Sequence, residues 1–158
     1  MALQSPGKTE LASQLEPLPA YAELHCISNF SFLRGASFPE ELVKRADDLG
    51  YCAIAITDEC SLSGVVRAHM AAKERDIKLI IGSEFVMDKG CHIVLLACNR
   101  TGYGALSHLI SCARRKTEKG SYFIDRSMVK TICPRTVWHC GFPIYSKSQS
   151  YWLARLFG

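Results

Sequence analysis

Residues 51–57, YCAIAIT, form a continuous run of small and β-branched apolar residues that stops at Thr57-Asp58-Glu59. A run that short and that apolar has no polar face to show to water. It belongs on the inside of a sheet, buried on both faces, as interior parallel strands are. Parallel neighbours need crossover connections, usually helical, so this stretch points the chain towards an α/β architecture. It also sets a direction. Polar residues just past the C-terminal end of such a strand stand on the edge where α/β folds bind ligands.

The flanking sequence supplies the rest of that architecture. Residues 21–37, YAELHCISNFSFLRGAS, read as a strand with alternation through Ala22, Glu23, Leu24 and His25, running into a polar loop that contains Gly35. Ser37-Phe38-Pro39-Glu40 reads as a helix start, with Ser37 as cap, Glu40 as its reciprocal partner and Pro39 in the first turn. Leu42, Val43, Ala46 and Leu49 recur at helical spacing and Gly50 suits the position after the helix, which predicts a helix over 38–49. Ser61-Leu62-Ser63-Gly64 opens a second helix whose apolar members, Leu62, Val65, Val66 and Met70, are expected on one face. Lys78 to Ile81 predicts a third short strand with Gly82-Ser83-Glu84 beyond its end, and residues 85–97 a hairpin about Asp88-Lys89-Gly90. Asn99 to Gly102 reads as a turn, and residues 103–112 as a third helix with Leu106, Leu109 and Ile110 on one face. The order predicts a mostly parallel sheet whose right-handed crossovers bring the strand C-termini to one edge.

That edge collects chemistry. His25, Asp58 with Glu59, and Glu84 fall at three successive strand ends. An imidazole and carboxylates converging on one rim can hold a divalent ion (zinc, manganese or magnesium), and such an ion can activate water against a phosphoester. The competing reading is that acidic residues after strands cap helices or face solvent. His69 reads as a helix-surface histidine. His92, early in the second hairpin strand, reads at least as well as a sheet-face histidine satisfied by a neighbour as it does as a ligand.

Composition narrows the setting. A chain of 158 residues with 48% hydrophobic and 22% charged residues is that of one globular domain or part of one. No run of 18 apolar residues suggests a membrane span, and residues 1–20 lack the apolar core of a secretion signal, so they read as a flexible leader on a cytoplasmic protein. The eight cysteines include no C-x-x-C pair and read as reduced core thiols; Cys133, His139 and Cys140 lack the paired spacing and fourth ligand of a zinc site. Charge is unevenly shared: residues 1–112 hold 10 Lys/Arg against 13 Asp/Glu, and residues 113–158 hold 9 against 2. From about Lys116 neither helical nor strand periodicity persists, so residues 116–158 read as a basic tail without an assigned place, next to a body over residues 21–115.

YAELHCISNFSFLRGAS, LGYCAIAITDECSLSGVVRAH, KLIIGSEF and HIVLLACNRTGYGALSHLIS together resemble the start of the PHP (polymerase and histidinol phosphatase) domain of bacterial C-family DNA polymerases, and more narrowly its error-prone, damage-tolerant branch. The resemblance covers about residues 21–113. It implies a (β/α)7 barrel, of which this chain would hold roughly the first three β/α units and a hairpin. It also implies a metal-binding rim carrying H-x-H, T-D-H and a later glutamate. Here His25 matches the first histidine and Ile27 stands at the second; Asp58 is retained, Glu59 stands where the T-D-H histidine would be, and Glu84 matches the later glutamate.

An isoleucine cannot coordinate a metal, so the resemblance implies a domain whose role is structural rather than hydrolytic. It implies a DNA-directed DNA polymerase in replication and damage-induced repair synthesis, with DNA and other repair components as partners of the full-length protein and no membrane partner. The alternatives are a stand-alone metal-dependent phosphoesterase and a noncatalytic interaction module. A closed (β/α) barrel takes ~250 residues, so a truncated gene or shifted reading frame is the expected origin of the tail.

Overall fold

The computed structural model describes residues 20–133 and the backbone of residues 137–142. The expected leader and the remainder of the tail lie outside the described residues, as do the side chains of His139 and Cys140. The elements run β1 (Ala22–Cys26), α1 (Pro39–Asp48), β2 (Ala53–Ile56), α2 (Val65–Arg75), β3 (Lys78–Val86), β4 (His92–Ala97), α3 (Arg100–Arg115), α4 (Arg126–Ile132) and β5 (Val137–Phe142). The strands form one sheet in the order β1-β2-β3-β4-β5.

The sheet is mixed. β1 pairs with β2, and β2 with β3, in parallel, whereas β3 with β4 and β4 with β5 are antiparallel. The expectation of a mostly parallel sheet holds for its first half. The hairpin expected over 85–97 reverses the chain, and β5 then adds a second antiparallel neighbour.

β3 is also longer than expected, one nine-residue strand in place of a four-residue strand and a loop. Its first half pairs with β2 up to Ile56↔Ile81, and its second half with β4 from Gly82↔Leu96 to Val86↔His92. Gly82 sits where the partner changes. A Cβ there would lie 2.6 Å from Leu96 Cδ2 and 2.8 Å from the Leu95 carbonyl oxygen. Glu84 is therefore held inside a strand, not in a loop beyond one.

Strand alternation sorts the core. Ile54 and Ile56 pack with Val43 and Ala46 of α1 and Ala68 and Ala72 of α2. Phe85, Ile93 and Leu95 pack with Leu106 and Leu109 of α3 and with Met128 and Val129 of α4. Ala55, Val94 and Leu96, with Ile80 beside them, make a third cluster. By alternation, Glu84 and His92 share the face of that third cluster.

Helix ends follow local chemistry, with one shift. Ser37 does not cap α1, because the first intrahelical bond, from the Leu42 N–H at 3.2 Å, ends on the Phe38 carbonyl one residue later. Phe38 is the capping position, and its N–H donates to Glu41 Oε2 at 2.8 Å, with Pro39 at the first helical position. At the other end the Tyr51 N–H reaches the Ala46 carbonyl (2.9 Å) and the Gly50 N–H that of Asp47 (2.8 Å). That is a Schellman ending, and it requires the positive φ of 74° that Gly50 adopts. α3 begins three residues earlier than expected, because the Asn99 side chain accepts the Gly102 N–H at 2.9 Å and turns the expected loop into a first helical turn.

α2 buries a different face from the one its large residues suggest. Val65, Ala68 and Ala72 are buried, while Val66 is 70% and Met70 56% exposed. The alanines share a cluster with Val43 and Ala46 of α1, so small residues let the two helices approach closely and the larger ones are left outside. His69 is on the surface, as expected.

Residues 116–133, which the sequence left without an assigned place, join the core. Ile124, Met128, Val129 and Cys133 are buried in the cluster built on Phe85 and Leu106, and Asp125 caps α4 by accepting the Met128 N–H at 2.9 Å. A seven-residue helix makes two turns, too few for a periodic signature to stand out. Ile124→Ala should accordingly cost about 2–5 kcal/mol in urea unfolding. An unchanged midpoint would show that this segment is not part of the core.

Candidate functional site

The loop after β1 is fastened to the loop after β2 by one carboxylate. Asp58 is buried; its Oδ1 accepts the Ser28 N–H at 2.7 Å and the Ser31 hydroxyl at 2.8 Å, and its Oδ2 accepts the Ser28 hydroxyl at 2.8 Å. Ser31 Oγ in turn accepts the Glu59 N–H at 2.9 Å. A carboxylate facing three donors in a buried pocket is a structural staple. Glycines make the closeness feasible: a Cβ on Gly35 would sit 1.9 Å from the Ser28 carbonyl oxygen, and one on Gly64 2.9 Å from Asp58 Oδ2.

In front of this staple lies the charged junction. Glu84 is 2% exposed, with its Oε2 3.1 Å from His25 Nε2 and its Oε1 2.9 Å from His92 Nδ1. Arg34 Nη2 donates to both of its oxygens, at 3.2 and 3.1 Å. The same guanidinium reaches Glu59 through Nη1, 2.8 Å from Oε2. The other Glu59 oxygen accepts the Tyr122 hydroxyl at 2.8 Å, and that hydroxyl accepts the Val86 N–H at 2.9 Å. The backbone fixes this pairing: Glu59 and Glu84 form a parallel bridge, and the Cys60 N–H donates to the Glu84 carbonyl at 2.8 Å.

Acid strengths follow from the contacts. Burial alone would raise the Glu84 pKa, but hydrogen bonds from His25, His92 and Arg34, and the charge of Arg34, outweigh it and bring the carboxyl down to about 2. The hydrogen bond to Glu59 leads the causes that raise the Arg34 pKa. Burial pushes the Tyr122 hydroxyl well above its ordinary value, so it stays a donor.

Of the four residues singled out in the sequence, His25 meets Glu84 directly, Glu59 and Glu84 meet through Arg34, and Asp58 is taken up by Ser28 and Ser31. The sequence reading missed Arg34 and Tyr122; His92, left open between a sheet-face histidine satisfied by a neighbour and a ligand, is the former, with Glu84 as that neighbour. That neighbour was recoverable from the hairpin, since the Val86↔His92 register puts His92 two positions from Glu84 on the same face. Arg34 carried no periodic signal, and Tyr122 lies in the stretch without pattern. As a metal centre the donor set fits poorly. Ile27 has no donor atom, Asp58 faces serine donors, and a guanidinium lies within hydrogen-bond distance of both remaining carboxylates. Among the described residues, no group of three His, Cys, Asp or Glu side chains is arranged to hold an ion.

Residues 23–138 match the family model for the PHP domain. The chain belongs to the PHP domain family. The match continues past Arg115, through α4 and into β5. Over 117 residues the chain is 62% identical to an error-prone DNA polymerase of Dechloromonas aromatica, covering 74% of this PHP chain and 11% of the relative. It is 47% identical over 153 residues to an error-prone DNA polymerase of Xanthomonas axonopodis pv. citri, covering 93% of this chain and 14% of the relative. The PHP chain thus spans only a small part of the length of these relatives.

Two solved structures share the fold. A protein of Bifidobacterium adolescentis, described as a candidate metal-dependent phosphoesterase, superposes with a TM-score of 0.52 at 26% identity, over 63% of this chain and 35% of that one. An amidohydrolase of Chromobacterium violaceum, with bound sulfate and no metal, gives 0.51 at 30% identity, over 61% of this chain and 34% of that one. With about a third of each neighbour covered, the five-stranded sheet is part of a PHP barrel.

The junction predicts a pH signature. Glu84 is shifted from 4.5 down to about 2 on folding. Its stabilisation is therefore complete above the unfolded value and is lost as pH falls from about 4.5 towards 2. Unfolding free energies of the wild type and Glu84→Gln should differ by about 3 kcal/mol at neutral pH and converge across that window. A gap that is independent of pH would contradict the assignment.

Proposed function

We propose that this chain is the PHP-domain portion of an error-prone DNA-directed DNA polymerase. The whole enzyme would work in the cytoplasm in DNA replication and damage-induced repair synthesis, copying past lesions, with DNA and other repair components as its partners. The reading is supported by the identity to error-prone DNA polymerases over most of this chain. Within such an enzyme we assign the domain a structural role.

The observation that carries the structural role is the position of Arg34. In a metal-dependent phosphoesterase, the rim would offer carboxylates and imidazoles to an ion that activates water. Here a guanidinium lies between Glu59 and Glu84 as a covalently attached cation. Its planar fork joins the loop after β1 to the loop after β2 and to β3. His25 and His92 complete the surroundings of Glu84 from β1 and β4. In this reading His25, Glu59 and Glu84 are members of an ion-pair network, Asp58 is its staple, and divalent zinc, manganese or magnesium is not required.

Two experiments test this. In a chimaera, this chain replaces the matching part of the Dechloromonas aromatica relative, and primer extension is measured. Extension close to that of the parent polymerase is expected; a chimaera no better than the parent with that part deleted would overturn the polymerase reading. The metal-dependent phosphoesterase is the second reading, favoured by the description of one structural neighbour. Phosphoester hydrolysis assayed with added zinc or manganese should not exceed that of His25→Ala. Metal-dependent turnover that His25→Ala abolishes would establish the second reading instead.

A further inference from the structure

The sheet is incomplete at its centre. β3 pairs with β2 along Lys78–Ile81 but with β4 only from Gly82 onwards, and Ala97 of β4 turns instead to Val137 of β5. Among the described residues, the first half of β3 therefore has one edge with no strand against it. The helical layer is open at the same place. Helices follow β1, β2 and β4, whereas β3 returns through the short turn at Asp88–Gly90, so it has no helix of its own to cover it. A cavity of about 720 Å³ remains between α2, β3 and the start of α3. That is the size of a small-molecule site. Four consecutive residues, Lys78 to Ile81, line it. Successive strand residues face opposite ways, so all four reach one cavity only along an open edge.

The place of this cavity in the fold separates it from the remainder of the barrel. Further barrel strands would join at the outer edges of the sheet, at β1 and β5, and β3 lies midway between them. The walls come from α2, β3, the end of β4 and the start of α3, all within this chain.

Its lining has two parts. Val65, Leu79 and Ile81 are apolar, and the Tyr103 ring beside them is 40% exposed. Lys78, Arg100 and His69 supply the polar part, and among the described residues no aspartate or glutamate lines the cavity. Nor does any of these three side chains have an ion pair or hydrogen-bond partner among the described residues. The positive charge comes from side chains; the end of α3 is already capped by Asn99, which takes up the Gly102 N–H.

A planar apolar ring system carrying a phosphate matches both parts. The phosphate dianion balances Lys78 and Arg100, one a point charge and the other a fork able to address two oxygens. The ring covers Tyr103 and takes the half-buried Leu79 and Ile81 out of water. A bounded cavity suits a single nucleotide, whereas a polynucleotide needs a row of stacking and phosphate sites. We propose that the cavity between α2 and α3 binds a nucleoside phosphate, with its phosphate on Lys78 and Arg100 and its base against Tyr103 and the aliphatic wall. The site is independent of the rim around Glu84 and of the polymerase reading.

Titration calorimetry of the 158-residue chain with AMP tests this. AMP should bind with a Kd of about 0.1 mM, and adenosine and inorganic phosphate should each bind about tenfold or more weakly. Lys78→Gln/Arg100→Gln should weaken AMP by about tenfold or more and leave the melting temperature unchanged, since neither residue has a partner to lose. Lys44→Gln/Arg45→Gln on α1 removes the same charge and should leave AMP binding unchanged. The wild type also carries a reporter. Cys98 lines the cavity and is exposed, and Cys52 is exposed outside it. AMP at about 1 mM should slow alkylation of Cys98 by about fivefold or more and leave that of Cys52 unaltered. No AMP binding, AMP no tighter than phosphate, or an equal loss in both double variants would overturn the proposal, the last two as general attraction of anions. Alkylation of Cys98 that AMP does not slow would place the nucleotide elsewhere and overturn it too. A short single-stranded oligonucleotide that binds about tenfold tighter than AMP, with a steeper salt dependence, would assign the cavity to nucleic acid and overturn the small-molecule site.

Discussion

A buried carboxylate has to find positive charge or hydrogen-bond donors, because losing water costs it several kcal/mol. Glu84 meets that demand from three directions at once. His25 comes from β1, His92 from β4, and Arg34 from the loop between β1 and α1. Remove the carboxylate and the side chains from these elements lose their common partner at that point of the rim. The loop after β1 would keep its Asp58 staple but lose its hold on β3. This is why one strand residue, rather than any helix contact, organises the polar end of the molecule.

The same demand shapes the rest of the rim. A cluster of carboxylates and imidazoles left without a cation is self-repelling and poorly solvated. A lysine would supply the charge as a single point. An arginine supplies it as a plane able to address two carboxylates, which is the geometry that Glu59 and Glu84 require. Glu59 adds a second anchor by accepting from Tyr122, and the Arg114 guanidinium lies 5.7 Å over that tyrosine ring while donating to the Cys60 carbonyl at 3.0 Å. The rim is thus tied to β3, to α3 and to the segment before α4.

Much of this was legible in the sequence, for identifiable reasons. The YCAIAIT run had to be an interior strand, and it is. Pro39 and Gly50 bracket α1 through backbone geometry that few other residues offer. What escaped was set by partners distant in the chain. β3 runs on through Glu84 because β4 takes over its pairing at Gly82, which no local propensity announces. α2 turns its alanines inward because α1 approaches closely, so its largest apolar residues were a misleading guide. Arg34 was invisible as a site residue because a lone arginine in a polar loop looks like any solvated charge. Only the fold reveals that two glutamates from different elements wait for it.

The central claim is that Arg34 and Glu84 act as one unit. A double-mutant cycle in urea unfolding, with Arg34→Met, Glu84→Gln and the two combined, measures it most directly. Arg34 is partly exposed, so solvent screening reduces the coupling below that of a fully buried pair. The account predicts a coupling of about 1–2 kcal/mol, with the double variant less destabilised than the sum of the single ones. Additivity within about 0.5 kcal/mol would mean that the guanidinium merely lies near the carboxylate, and that the rim is held by something else.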